Sequence, residues 1–230
     1  MILGGYQKLT LIDYPGKLAA TAFTVGCNFR CPFCHNPELV DLKLVHEEKS
    51  EQEFFKFLKK RKGKLEGVCI TGGEPTIQPD IIEFIRKIKR SGFAVKLDTN
   101  GTRPDVLKKI LDAKIIDYAA MDIKHSQEKY PEAAGGTVDI ERVKLSVNLL
   151  MKSGIDYEFR TTVVPGIHAE SDFEDIVKWI RGAKKYYLQK YREIKILDQH
   201  LSKKTKGKSL NLEKIKEKYE KNFGKMEIRG

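Results

Sequence analysis

Short apolar runs alternate with amphipathic stretches along this chain from Leu18 onward, regularly enough to suggest a fold. Runs of strand length, with β-branched and aromatic residues, fall at 19–25, 67–71, 94–99, 118–123, 157–164 and 186–191. Between them, residues 51–62, 79–91, 104–113, 140–153 and 171–182 carry apolar positions at helical spacing, and several of these stretches open on Pro or Ser and close at Gly. Strand then helix, repeated about six times with short connections, predicts an α/β protein with parallel strands joined by right-handed crossovers. Six units are fewer than the eight that close a full (β/α)8 barrel, so the expected architecture is a partial, open (β/α)6 barrel with a lateral mouth. Residues 4–16 read as a short strand and turn ahead of it. The apolar pattern stops near Ser202, which suggests a core over residues 1–200 and an extension over 201–230, opening on an exposed loop at 203–208.

At 230 residues and 40% apolar composition the chain is long enough to bury its own core. No apolar run nears the ~20 residues of a membrane span, and residues 1–17 have no leader-like core. A cytoplasmic protein with no membrane attachment is therefore expected. The formal charge of +11 is uneven, because residues 201–230 hold ten Lys or Arg against four Glu. Leu210, Leu212, Ile215, Tyr219 and Phe223 lie at helical spacing among them, which predicts a basic helical extension with a solvated face. Such a face suits an acidic partner or nucleic acid. No nucleic-acid module accompanies it, so the expectation is a solvated helix and no nucleic-acid partner.

Three of the four cysteines, Cys27, Cys31 and Cys34, share one short segment. A structural zinc site closes with four side chains, whereas three thiolates from one loop suit an iron–sulfur cube whose fourth iron stays open to a substrate or cofactor. A zinc knuckle completed by His35 or His46, or a Cys31/Cys34 dithiol with Cys27 a bystander, are the alternatives. No second Cys or His pair follows at ligand spacing, and Pro32, Phe33 and then His35-Asn36-Pro37 continue a loop where a dithiol motif would open a helix. Disulfides fit poorly in a chain of this size without a leader. Cys69, in the apolar run Val68-Cys69-Ile70, reads as a buried small hydrophobe. His125 and His168 read as exposed loop histidines.

In a parallel (β/α) fold the loops after the strands share one face. The cysteine loop, Gly72-Gly73-Glu74-Pro75, Asp98-Thr99-Asn100-Gly101, Asp122 with Lys124, and Pro165-Gly166 all fall there and together outline a polar pocket. The Cys-x3-Cys-x2-Cys spacing with Phe33 before the third cysteine, and Gly72-Gly73-Glu74-Pro75 after the next strand, resemble the radical S-adenosylmethionine (SAM) enzymes. More narrowly, residues 6–16, 31–39, 96–101 and 121–124 resemble the activating proteins of anaerobic ribonucleoside-triphosphate reductases.

That resemblance implies a [4Fe-4S] cluster on Cys27, Cys31 and Cys34, the catalytic and metal-binding set, with the open iron chelated by the amino and carboxylate groups of SAM. It implies reductive cleavage of SAM to a 5′-deoxyadenosyl radical, which would take hydrogen from a backbone glycine of a partner glycyl radical enzyme. A flavodoxin or ferredoxin would supply the electron. Phe33 would face the adenine, and Gly72, Gly73 and Glu74 would receive the methionine ammonium. Asp98, Thr99, Asn100, Met121 and Asp122 would form a ribose or cation site. Lys124 and Arg160 would meet the carboxylate, although Arg160 could instead pair with Glu158. Alternatives are a small-molecule enzyme of the 7-carboxy-7-deazaguanine synthase type, or an activase of pyruvate formate-lyase, whose histidine-bearing loop has no match at 189–194. A zinc-stabilised nucleic-acid-binding module is a more remote one.

Overall fold

A computed structural model describes residues 1–41, 43 and 49–230, so His46 lies outside the described residues. Nine strands form one sheet: β1 (Ile2–Thr10), β2 (Ala19–Thr24), β3 (Lys49–Ser50), β4 (Gly67–Gly72), β5 (Ala94–Thr99), β6 (Tyr118–Asp122), β7 (Asp156–Val163), β8 (Tyr186–Lys190) and β9 (Met226–Arg229). Their order is β3-β1-β2-β4-β5-β6-β7-β8-β9, with β2 and β4 to β9 parallel and β1 and β3 antiparallel at one edge. The sheet does not close on itself. The six predicted strands are all present within a residue or two, and the open (β/α) arrangement is the expected one.

The crossover helices form where local signals ask for them. Helix α1 (Glu51–Lys60) starts on a capping box in which Ser50 and Glu53 satisfy each other's backbone N–H. Helix α2 (Ile81–Arg90) buries Ile81, Phe84, Ile85 and Ile88, a single stripe at i, i+3, i+4 and i+7. Pro104 occupies the first turn of α3 (Pro104–Asp112), where its missing N–H costs nothing. A short α4 (Tyr130–Ala134) precedes α5 (Ile140–Lys152), and α6 (Asp172–Trp179) joins β7 to β8. These helices pack on Ile70, Leu97, Ala119, Phe159 and Leu188, alternate strand residues that belong to one buried core.

The C-terminal part departs from expectation. Residues 201–230 do contain helices, α7 (Leu201–Thr205) and α8 (Leu212–Tyr219), but the segment is not merely a solvated face. Ile215, Tyr219, Phe223 and Met226 are buried in the main core, and β9 pairs in parallel with β8 as a seventh parallel strand. The predicted loop at 203–208 overlaps the last three residues of α7, where Thr205 is buried. Four residues of strand carry too little periodicity to be seen locally, and the pairing that makes Met226–Arg229 a strand is with a distant segment. No helix among the described residues is long and apolar enough to cross a membrane.

Candidate active site

The C-terminal ends of β2 and β4 to β8 all contribute to a cavity of about 350 Å3. Cys27, Cys31 and Cys34 line it together with Phe33, Gly72, Gly73, Glu74, Asp98, Thr99, Asn100, Asp122, Lys124 and Arg160, so all but one of the residues expected at the cofactor site border one space. Met121 does not: it is fully buried among core residues, one position out of phase with Asp122 on a strand whose side chains alternate. Pro165 and Gly166 also lie elsewhere. Gly166 packs against the tail, where an added Cβ would stand 2.5 Å from the Lys204 carbonyl oxygen.

The cysteine loop is fixed on all sides. Gly26 and Cys27 donate backbone N–H groups to the carbonyls of Leu39 (2.8 Å) and Val40 (3.1 Å), and Arg30 donates to Ala134 (2.9 Å). Asn28 donates to Thr102 Oγ1 (2.7 Å) and accepts from Asn100 (2.9 Å), which ties the loop to the end of β5. Gly73 and Glu74 donate to Thr24 (2.9 Å) and Gly26 (2.8 Å). This approach needs glycine. A Cβ on Gly72, whose φ is +115°, would stand 2.4 Å from the Thr24 carbonyl oxygen, and one on Gly73 would stand 2.1 Å from that of Gly26.

Glu74 does not present an open carboxylate. Its Oε1 accepts from the Thr76 N–H (3.0 Å), the Thr76 hydroxyl and Thr99 Oγ1 (2.7 Å), while Oε2 accepts from the Asn100 N–H (2.6 Å). Burial pushes this carboxyl up against the pull of those donors. Glu74 therefore pins the glycine turn to the β5 loop.

The opposite wall is an ordered series of charges. Asp98 accepts from Lys96 and from Arg160 Nη1 (3.0 Å), and Asp122 accepts from Arg160 Nε (3.0 Å) and Lys124 Nζ (2.8 Å). Burial works against both carboxylates, but Arg160 first, with Lys96 or Lys124, holds each below the usual range. The cation expected near Asp98 and Asp122 is not supported, because Lys96, Arg160 and Lys124 already neutralise both. Lys124 Nζ also lies 6.0 Å from the centre of the Phe33 ring, which places a cation between the aspartate wall and the cysteine loop.

The four cysteines are free thiols. Burial pushes Cys27 up to about 12 and raises Cys31 as well, and the charge of a bound metal would favour their thiolate forms. No group of three His, Cys, Asp or Glu among the described residues is placed to hold a single ion. A cube gives each thiolate its own iron and leaves one iron for another ligand, so three thiols spread along one wall beside a polar cavity fit that group.

Several site residues escaped the sequence reading. Lys96 is 1% exposed and stands two residues before Asp98, on the same face of β5. Thr162 and Gln189 line the cavity from β7 and β8. Alternation along those strands is the signal that would have found them. Cys69 is buried as expected, but its Sγ faces Lys96 Nζ (3.7 Å) and Asp98 (3.8 Å) rather than the apolar core. His125 and His168 are buried and stacked, not exposed, because they tie the β6 loop to the β7 loop.

An open parallel barrel with three thiols facing a charged cavity at its C-terminal end defines a cofactor-dependent enzyme of the iron–sulfur class. The chain belongs to the radical SAM superfamily, whose family model matches residues 21–180. Membership implies a [4Fe-4S] cluster and SAM. The chain is 37% identical over 232 residues to a Methanocaldococcus jannaschii protein provisionally named a glycyl-radical enzyme activating enzyme, covering 95% of this chain and 92% of that one. It is 27% identical over 208 residues to a pyruvate formate-lyase-activating enzyme of Clostridium pasteurianum, covering 85% of each. Among solved structures, SuiB of Streptococcus suis bound to S-adenosylmethionine superposes with a TM-score of 0.67 at 16% identity, over 90% of this chain. The chain spans 49% of that structure, and the likeness is one of fold.

Proposed function

We propose that this chain is a glycyl-radical-enzyme activase that uses SAM, with an anaerobic ribonucleoside-triphosphate reductase as its target. The observation that carries the reading is one cavity bounded by the three cysteines, the glycine turn and the Asp98–Arg160–Asp122–Lys124 wall. Near-full-length similarity to a protein bearing an activase name supports it. A [4Fe-4S] cluster held there would supply, once reduced, the electron for reductive cleavage of SAM to methionine and a 5′-deoxyadenosyl radical.

The chain's residues hold and orient. Cys27, Cys31 and Cys34 would hold the cluster, and Gly72 and Gly73 would let backbone carbonyls approach the methionine ammonium, with Glu74 fixing their turn. Arg160 and Lys124 offer donors to the carboxylate. Phe33, with the backbone near His35, faces the adenine, and Asp98, Thr99, Asn100 and Asp122 border the ribose. The open side of the barrel admits a protein loop carrying the target glycine, and a flavodoxin or ferredoxin delivers the electron.

The target assignment is supported by the likeness at residues 6–16, 31–39, 96–101 and 121–124. Pyruvate formate-lyase is the competing target, favoured by the Clostridium relative. The test is anaerobic reconstitution with iron and sulfide, then dithionite and SAM, with 5′-deoxyadenosine quantified. Each candidate partner is then added and its glycyl radical sought by electron paramagnetic resonance. Absence of 5′-deoxyadenosine from a fully loaded, reduced protein would end the enzyme reading. A radical on the lyase alone would reassign the target.

A further inference from the structure

We propose that the last strand is a working part of the SAM site. In this assignment Arg229 of β9 is a positioning residue: it holds Glu158, and so leaves Arg160 free to grip Asp98 and Asp122 while facing the ligand's carboxylate. The inference rests on the proposed role of Arg160 toward SAM.

Glu158 sits in the middle of β7, two residues before Arg160 and on the same inner face, and it is fully buried. A carboxylate in that position requires a cation and hydrogen bonds. Two guanidinium groups compete for the role: Arg160 on its own strand and Arg229 two strands away. The parallel register of β8 and β9 pairs Gln189 with Arg229. Arg229 stacks 3.3 Å above the Tyr187 ring and donates to both Glu158 oxygens, Nη1 to Oε1 at 2.7 Å and Nη2 to Oε2 at 2.9 Å. Tyr118 Oη adds a third bond at 2.8 Å. This fork-to-fork geometry is specific to arginine and saturates the carboxylate.

With Glu158 satisfied, Arg160 spends Nε on Asp122 and Nη1 on Asp98, and its Nη2 has no partner among the described residues. Along the inner face Lys96, Lys124, Arg160 and Arg229 pair with Asp98, Asp122 and Glu158. Removing Arg229 leaves Glu158 buried and short of a cation, with Arg160 the cation nearest along its own strand. Arg160 drawn toward Glu158 loosens from both aspartates and from the ligand carboxylate.

The test uses the full chain, reconstituted anaerobically, and reads the SAM dissociation constant by titration calorimetry alongside thermal unfolding of the apo chain. Arg229→Met should weaken SAM binding about tenfold, in the range for a substitution that acts on a ligand through an intervening network of side chains. The double variant Glu158→Gln with Arg229→Met removes the competing carboxylate and should bind within about twofold of wild type. A folded Arg229→Met protein that binds SAM like wild type overturns the proposal, and so does a folded double variant that binds as weakly as the single one. If Arg229→Met does not fold, the double variant decides: wild-type affinity supports the proposal and tenfold weaker binding overturns it. A wild-type chain that takes up its cluster but binds no SAM removes the proposed function itself.

Discussion

Acid should weaken this fold as pH falls below about 6.5, because two histidines are buried neutral behind Lys124. The rings of His125 and His168 stack with centroids 4.6 Å apart and planes 9° from parallel. Backbone N–H groups of Ser126 (2.7 Å) and Val164 (3.1 Å) point at their Nδ1 atoms, so both rings are neutral with the proton on Nε2. Those Nε2–H groups donate to the carbonyls of Ile167 (3.2 Å) and Lys124 (2.9 Å). A proton added to either Nδ1 would set a donor against a donor. Burial, with His125 alongside, lowers His168 to about 4 from an ordinary 6.5. Burial lowers His125 too, against the Ile167 carbonyl and Asp172.

The folded values lie below the unfolded ones, so as pH falls through 6.5 the unfolded chain takes up protons the folded chain refuses. Stability is full above 6.5 and is lost on the way to 4. At about 1.4 kcal/mol per pH unit, His168 alone accounts for roughly 3 kcal/mol over that window and about 2 kcal/mol between pH 6.5 and 5. Urea unfolding of the apo chain at several pH values, for wild type and His168→Asn, measures it. The variant should be less stable at pH 7.5 and distinctly flatter between 6.5 and 5. Equal slopes in the two proteins would refute the assignment.

Three further outcomes follow from the same geometry. Cys31→Ala should fail to retain a full cluster and should make no 5′-deoxyadenosine, read by iron content and by chromatography. In Gly73→Ala the new Cβ meets the Gly26 carbonyl oxygen at 2.1 Å, with backbone on both sides. It should cost about 3 kcal/mol or more and reduce cluster uptake, seen in the melting temperature and in iron bound. Glu74→Gln keeps the shape but sets an amide among four donors, and should cost about 2–3 kcal/mol in urea unfolding while weakening SAM binding.

The sequence exposed what repeats and what is rare. Six strands and five helices were legible because their apolar periods are long, and the cysteine and glycine motifs because such residues seldom cluster without cause. Lys96 and Arg229 were not legible as site residues. Each is one charged residue in a chain rich in them, and each matters only through a buried partner, Asp98 two residues along the same strand for Lys96 and Glu158 across two strands for Arg229. The buried histidines were misread for the same reason: their loops look polar, and only tertiary contact buries them. Strand β9 combines both difficulties, being short and stabilised by a distant neighbour.

The inner face of the sheet also argues that the site, not the fold, dictates its composition. A parallel barrel of this size can fill its interior with branched apolar side chains, and replacing a buried ionic network by well-packed hydrophobic residues is often neutral or stabilising. Here Lys96, Asp98, Asp122, Glu158 and Arg160 instead hold charges inside, each matched to a named partner. Nothing on the outer face of the same strands shows this, since Ile70, Leu97, Phe159 and Leu188 pack there as an ordinary core. On the proposed function the two faces differ because a ligand that carries a sulfonium, an ammonium and a carboxylate would need prearranged charges of both signs at one end of the barrel. Arg229 extends the row to β9, and on the assignment proposed above the basic tail would support chemistry at Cys27, Cys31 and Cys34.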